Sequence, residues 1–333
     1  MMRHSFARCL VGFLLVSLGI AACNKATDVH LAYEEDEGGI IGTGILGTIT
    51  DIGSIYVNGV RVVYDDDLMV ETAFGDVSPK RLRPGDTVAV EAFPKGDELR
   101  ATSIQRYRPV VAPVEKIALD RGWIRALGVQ IGINKGAVLL SDEKAVDWRS
   151  LKIGDWIAVD GLWRADEVVA SNVRRIPPSK LAAIRGVAGL DDEEGLEIAG
   201  VPVAGIDPAA LEIGGVIAVR GGVEQRTGGS VLLARQFALP EFSPGVSRLI
   251  VEGFTSEPTS SGAYTVFGSG LTSFADDPTN PMTTRRSLFC GKLDGVFDIE
   301  TATLLPADGG QRQKPGHPFV IDNHSGRTCQ ERP

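Results

Sequence analysis

Residues 82–90, Leu-Arg-Pro-Gly-Asp-Thr-Val-Ala-Val, recur as Leu-Lys-Ile-Gly-Asp-Trp-Ile-Ala-Val at 151–159 and as Leu-Glu-Ile-Gly-Gly-Val-Ile-Ala-Val at 211–219. Each copy reads as a tight turn at glycine followed by a strand of β-branched and small residues. The register continues beyond the nonapeptide. Nineteen positions separate Leu82 from the Ala101 of Ala-Thr-Ser-Ile, and nineteen separate Leu151 from the Ala170 of Ala-Ser-Asn-Val. In the third copy a hairpin tip containing Arg226, Thr227, Gly228 and Gly229 moves the matching alanine four places on, to Ala234. Self-similarity at a fixed period of this size means one supersecondary unit repeated along the chain.

In the first unit, residues 48–50 and 55–57 read as strands, Asn58-Gly59 as a type I′ turn and 60–64 as the returning strand. Residues 82–90 and 100–106 then supply two more. Five strands in about sixty residues suit a small closed barrel, because closure removes the edges an open sheet would expose. The second unit is expected to open at Gly122-Trp123-Ile124, with 129–133 parallel to 55–57; the third opens at Gly186 and carries Ala199-Gly200-Val201 as its hairpin. A fourth opens at Gly253-Phe254, and its signature strand is read as reduced to Gly291-Lys292-Leu293-Asp294-Gly295.

The expected fold is therefore all-β: tandem five-stranded barrels of the oligonucleotide/oligosaccharide-binding (OB-like) type, with a divergent last unit. The divisions are a signal peptide at 1–22, an acidic flexible tether at 23–44, repeats at 45–117, 118–182 and 183–245, and the divergent unit with its tail at 246–333. Prolines at the joints (Pro109, Pro113, Pro177, Pro178, Pro240, Pro244) are expected to stiffen them into an extended rod. Forty glycines and eighteen prolines fit many turns between short strands.

The N-terminus reads as a processing signal. Arg3, His4 and Arg8 precede an apolar run over 10–20, too short to span a bilayer as a mature helix. The run ends in Ile20-Ala21-Ala22-Cys23, which resembles the lipobox of bacterial lipoproteins. That resemblance implies acylation of Cys23, and Asn24 after it points to the outer membrane and a periplasmic or surface face. Of four cysteines, Cys9 leaves with the signal and Cys23 carries lipid, so Cys290 and Cys329 remain. In an oxidising compartment they are expected to pair, closing a loop of about forty residues and contributing about 3–4 kcal/mol.

The run from Gly42 to Val60, with Leu82-x-x-Gly-Asp-x-Val-x-Val90 and Ala101-x-x-Ile104, resembles a bacterial envelope family known as domain of unknown function 5666. The likeness is good over the first unit, fair over the second and third and poor over the fourth. It implies an exported, repetitive protein and lends no catalytic residue, cofactor or metal site.

Motifs with chemistry are sparse. Gly42-Thr-Gly-Ile-Leu-Gly47 spells G-x-G-x-x-G, but a dinucleotide fingerprint needs a strand before it and a helix after it. Here an acidic tether precedes and strand-type residues follow. The four histidines (His4, His30, His317, His324) all fall outside the three clear repeats, leaving no base there for Ser-His or Cys-His catalysis. The spacing of His317, His324 and Cys329 is looser than zinc sites use. Acidic runs at 65–67, 191–194 and 276–277 read as solvated loops, since adjacent carboxylates do not face each other across a cleft. The repeated Gly85-Asp86 and Gly154-Asp155 read as turn and cap, with Gly215 tolerated in the third copy. All four tryptophans lie in the second unit, and Trp123, Trp156 and Trp163 form the candidate binding surface, with Arg174-Arg175 beside them suited to a solvated strand end. A formal net charge of −9 argues against a nucleic-acid partner.

No catalytic, cofactor-binding or metal-binding residue is expected. The expected function is a non-enzymatic, lipid-anchored binding or scaffolding protein whose partners are the bilayer, through its acylated N-terminus, and an envelope protein or glycan. The alternative is a carboxylate-dependent enzyme acting on cell-wall or polysaccharide material.

Overall fold

The computed structural model describes residues 42–95, 98–227, 229–238, 242–243, 245–274 and 285–305. The signal peptide, Cys23, nearly all of the tether, Cys329 and all four histidines lie outside the described residues. The same local device begins the signature strand in three units. A 3₁₀ turn capped by Ser78, Asp147 or Asp207 closes on the signature leucine, where Leu82, Leu151 and Leu211 donate their N–H groups to Pro79, Trp148 and Pro208. The signature glycine follows in a left-handed conformation, at φ 88° for Gly85 and Gly154 and 93° for Gly214. A side chain there would be strained, which is why glycine recurs. Each glycine N–H then bonds back to the unit's first strand, to Ile49, Val114 and Ala188, at 2.8 Å in every copy.

In the first unit, β1 (Gly42–Asp51), β2 (Ile55–Val57), β3 (Val60–Val63), β4 (Val70–Glu71), β5 (Thr87–Lys95) and β6 (Glu98–Arg106) assemble in the order β2-β3-β6-β5-β1. Pairing of β1 with β2 closes the ring, and β4 adds to β6. The second unit repeats this with β7 (Val110–Ala118), β8 (Trp123–Ala126), β9 (Val129–Ser141), β11 (Trp156–Arg164) and β12 (Glu167–Ile176), with β10 (Lys144–Val146) on the rim. The third closes through β13 (Ala182–Leu190), β14 (Leu196–Ile198), β15 (Val201–Ala204), β16 (Val216–Arg226) and β17 (Gly229–Ala238). Antiparallel neighbours throughout, with one parallel contact between third and last principal strands, make these closed OB-like barrels.

The ladders correct two assignments made from sequence. Thr48 pairs with Thr87 as Pro113 pairs with Trp156 and Val187 with Val216, so the second barrel starts with β7 and Gly47 corresponds to Ala112, not Gly122. Its hairpin turn is Leu127-Gly128, at φ 51° and 75°, equivalent to Asn58-Gly59 and Ala199-Gly200. Residues 129–133 therefore parallel 60–64 and not 55–57. Leucine at a left-handed position hides the signal that asparagine displays, since asparagine tolerates that conformation far better.

The fourth unit contains β18 (Val246–Gly253), β19 (Ala263–Val266), β20 (Leu271–Phe274), β21 (Ser287–Asp294) and β22 (Val296–Leu304). A register shift falls between Cys290 and Gly291, as it does between Glu91 and Ala92, Asp160 and Gly161, and Arg220 and Gly221. The counterpart of the signature strand therefore begins at Ser287. Gly291 sits opposite Ile299 beside the bulge that leaves Glu300 unpaired, and is not the remnant of the Gly-Asp turn. Among the described residues, β19 and β20 pair only with each other as ladders, so the described part of this unit keeps the strand plan without a closed ring.

The barrels are fused, not strung as a rod. β1 pairs in parallel with β18, bringing Gly42 and Gly44 into the sheet although the tether was expected to extend to 44. A Cβ on Gly44 would lie 2.7 Å from Leu249, so glycine permits this approach. β7 pairs with β13 through Val110↔Ile184 and Val111↔Ala183. One apolar core runs from Leu46 and Ala89 through the second and third barrels to Phe289 and Phe297. Arg220 of the third barrel donates to the Ala73 carbonyl of the first at 2.7 Å, a contact a rod would not allow. The proline joints are overridden because apolar residues on the outer faces of the barrels leave water when they pack against one another. Among the described residues no helix is long and apolar enough to cross a membrane.

Candidate binding cleft

The candidate site begins at the signature aspartates. Asp86 Oδ2 accepts the Arg83 N–H at 2.8 Å, and Asp155 Oδ2 accepts the Lys152 N–H at 3.0 Å, so each caps its turn. Each also pairs with an arginine at the same place in its barrel. Val88 lies opposite Arg106 and Ile157 opposite Arg175, which makes those two arginines equivalent. Asp86 pairs with Arg106, and Asp155 with Arg175 at 3.1 Å.

The first of these pairs has grown into a buried cluster between barrels one and two. Asp86 and Asp160 are both fully buried. Asp86 also binds Arg174 and receives the Asn172 amide at 3.3 Å. Asp160 lies 3.3 Å from Arg106 and 3.6 Å from both Arg108 and Arg174. Arg174 reaches outward to Glu143 as well. Burial pushes the Asp160 carboxyl above its ordinary value, against the pull of Arg106 and Arg108. Burial likewise lowers the Arg108 guanidinium, with Asp160 opposing; for Arg174 burial is outweighed by Asp86 and Asp160, and its affinity for the proton rises. Arg174 is thus no solvated strand end; only Arg175, bonded to the Ser150 carbonyl, lies near the surface.

Beside the cluster, the first and third barrels enclose a cleft of about 750 Å³. Five arginines line it, Arg106, Arg108, Arg185, Arg220 and Arg235, against one carboxylate, Glu71. Thr72, Gln105 and Gln236 add neutral hydrogen-bonding groups, and Ile184 and Val219 supply an apolar floor. Phe74, 40% exposed, stands on the rim in a loop folded by Thr72, whose hydroxyl donates to the Gly75 carbonyl and accepts the Phe74 N–H. In a chain of net charge −9 this is a concentration of positive charge. Sequence reasoning missed it because the arginines come from β6, its exit, β13, β16 and β17. The usable signal was narrow: Asp86 with Arg106 and Asp155 with Arg175 each stand twenty positions apart.

The three tryptophans do not share an exposed face. Trp163 is 1% exposed, and its indole N–H donates to the Arg185 carbonyl at 2.9 Å. It is a joint between barrels two and three, because the Trp163 ring needs apolar cover and the Arg185 carbonyl needs a donor. Trp156 packs partly buried against the core. Trp123 alone borders a depression, of about 330 Å³, with Lys116 5.4 Å and Arg125 5.6 Å from its ring.

Two carboxylates of the fourth unit, Glu252 and Glu300, are engaged in pairs. Glu252 accepts the Thr48 N–H at 2.8 Å and pairs with Arg286; Glu300 lies 2.9 Å from Arg248. Asp276 and Asp277 lie outside the described residues. Among the described residues, the cleft beside Arg108 and the depression beside Trp123 are each lined by a single carboxylate, Glu71 or Glu167, whereas glycoside hydrolysis by acid and base requires two across the bond. Among the described residues no group of three metal-ligating side chains forms. Cys290 is buried on β21 and has a bonding partner; Cys329 lies outside the described residues.

Fold and cleft together define a tandem, fused OB-like barrel protein with a cationic groove. Residues 44–105, the first barrel, match the family described as Domain of unknown function (DUF5666). No curated protein and no solved structure matches the chain.

Proposed function

We propose that this protein is a non-enzymatic, lipid-anchored component of the bacterial envelope that binds or scaffolds an envelope partner or glycan. One observation carries the binding reading: the cleft between the first and third barrels is lined by five arginines and a single carboxylate. Such a surface holds anionic groups, and it lacks the opposed acid and base that hydrolysis would use. The fused barrels support it, because a rigid frame keeps distant side chains in register for a ligand. Anchoring through acylated Cys23 at the outer membrane follows from Ile20-Ala21-Ala22-Cys23 and Asn24, and an exported chain suits a Cys290–Cys329 disulfide.

Two experiments test this. Cys23→Ser should release the protein from the membrane fraction; unchanged fractionation would sink the anchoring. Crosslinking in intact envelopes followed by pull-down should recover an envelope component, with much less recovered when Arg235→Glu is introduced.

A further inference from the structure

We propose that the cleft between the first and third barrels binds an acidic saccharide, with its arginines taking carboxylate or ester oxyanions and Phe74 lying against the sugar ring. The inference rests on reading the protein as a binder, and is independent of its anchoring.

Charge comes first. Arg106 is occupied by Asp86 and Asp160 behind the cleft. Arg108 is less well served: its Nε makes no hydrogen bond, and its nearest anion is Asp160 at 3.6 Å, which two other arginines share. Arg235 on β17 is exposed to the cleft and makes no ion pair among the described residues. Guanidinium forks match planar oxyanions in two parallel bonds, and inside a partly desolvated groove such bonds strengthen.

Shape and chemistry narrow the anion further. A volume of about 750 Å³ exceeds what one inorganic ion fills and lies within the range of pockets for small organic ligands. An exposed aromatic ring at the mouth of a polar groove gives the apolar face of a sugar a surface to cover. Gln105 and Gln236 provide the neutral donors and acceptors that hydroxyl groups need. The loop that presents Phe74 is fastened to the opposite wall by Arg220, so the two sides are held at a fixed spacing.

The test is titration calorimetry on the purified full chain, with a hexamer of galacturonic acid, a neutral maltohexaose and inorganic phosphate as probes. The hexauronate should bind, weaken by about tenfold with Arg235→Glu and by several-fold with Phe74→Ala, and weaken with added salt as charge pairing requires. Both substitutions are at exposed positions, so unchanged thermal midpoints should accompany them. The assignment is overturned if the hexauronate does not bind, if neutral maltohexaose binds equally, or if neither substitution matters. Phosphate binding as tight as the hexauronate, and equally sensitive to Arg235→Glu, would replace it with a simple anion site. Release of reducing ends from bound hexauronate would leave the site standing while overturning the non-enzymatic reading.

Discussion

Asp86 shows how one residue carries two structural tasks. As a cap it needs only the Arg83 N–H, and Asp155 does the same in the second barrel. Buried between barrels, it also neutralises Arg106 and Arg174. Removing one partner of a buried ion pair strands the others, so Asp86→Asn should destabilise by about 3–5 kcal/mol in urea unfolding at neutral pH. A loss no larger than that of Asp155→Asn would show that burial of the cluster contributes nothing beyond the cap and the single arginine pair that Asp155 also makes. Asp160 behaves differently. Burial raises its carboxyl above 3.8, so the folded state holds that proton more tightly than the unfolded chain. Its contribution is then full below 3.8 and is lost as pH rises through the raised value. Wild type should therefore lose stability relative to Asp160→Asn as pH is raised from about 3.5 to 7. Relative stability that instead increases across that range would contradict the burial argument.

At the scale of elements, the joints decide more than the strands. Trp163 on β11 touches two other elements at once. Its indole bonds Arg185 of β13, and a Cβ on Gly268, between β19 and β20, would lie 2.2 Å from its ring. Tyr107 completes the joint, donating to the Gly268 carbonyl at 2.7 Å. Trp163→Ala should cost about 3–5 kcal/mol by leaving a cavity between units. Gly268→Ala should also destabilise, because Gly268 combines φ 71° with that close approach; retention of the wild-type thermal midpoint would refute the packing. The strands themselves were legible wherever their local signals were conventional. The Gly-Asp turns, the Asn58-Gly59 hairpin and the third-copy extension all fell where the pattern put them. The second hairpin did not, since Leu127 occupies a position whose usual residues announce it.

For the whole molecule, two shared sheets and an apolar cluster that touches all four units predict one unfolding transition despite four repeats, although the interior of the first barrel forms a second cluster. The tryptophans, Trp123, Trp148, Trp156 and Trp163, all belong to the second barrel. Their fluorescence reports that barrel, while far-ultraviolet dichroism reports every strand. The two urea curves should coincide; separated midpoints would mean that the barrels unfold independently.

What the sequence by itself determined is the repeat and its strand plan, because turn glycines, caps and alternating apolar residues act over a few positions and are written in order. The nonapeptide at 82–90, set beside its copies, sufficed to count three barrels and to align Ala101, Ala170 and Ala234. It also read Asp86 correctly as a cap. Only the tertiary structure decided that β1 joins β18 and β7 joins β13, that Trp163 is a joint and not a surface, and that arginines from two barrels share a cleft. Those outcomes depend on how closed barrels bury their outer faces against one another, which brings together residues more than a hundred positions apart and leaves no local trace of the meeting.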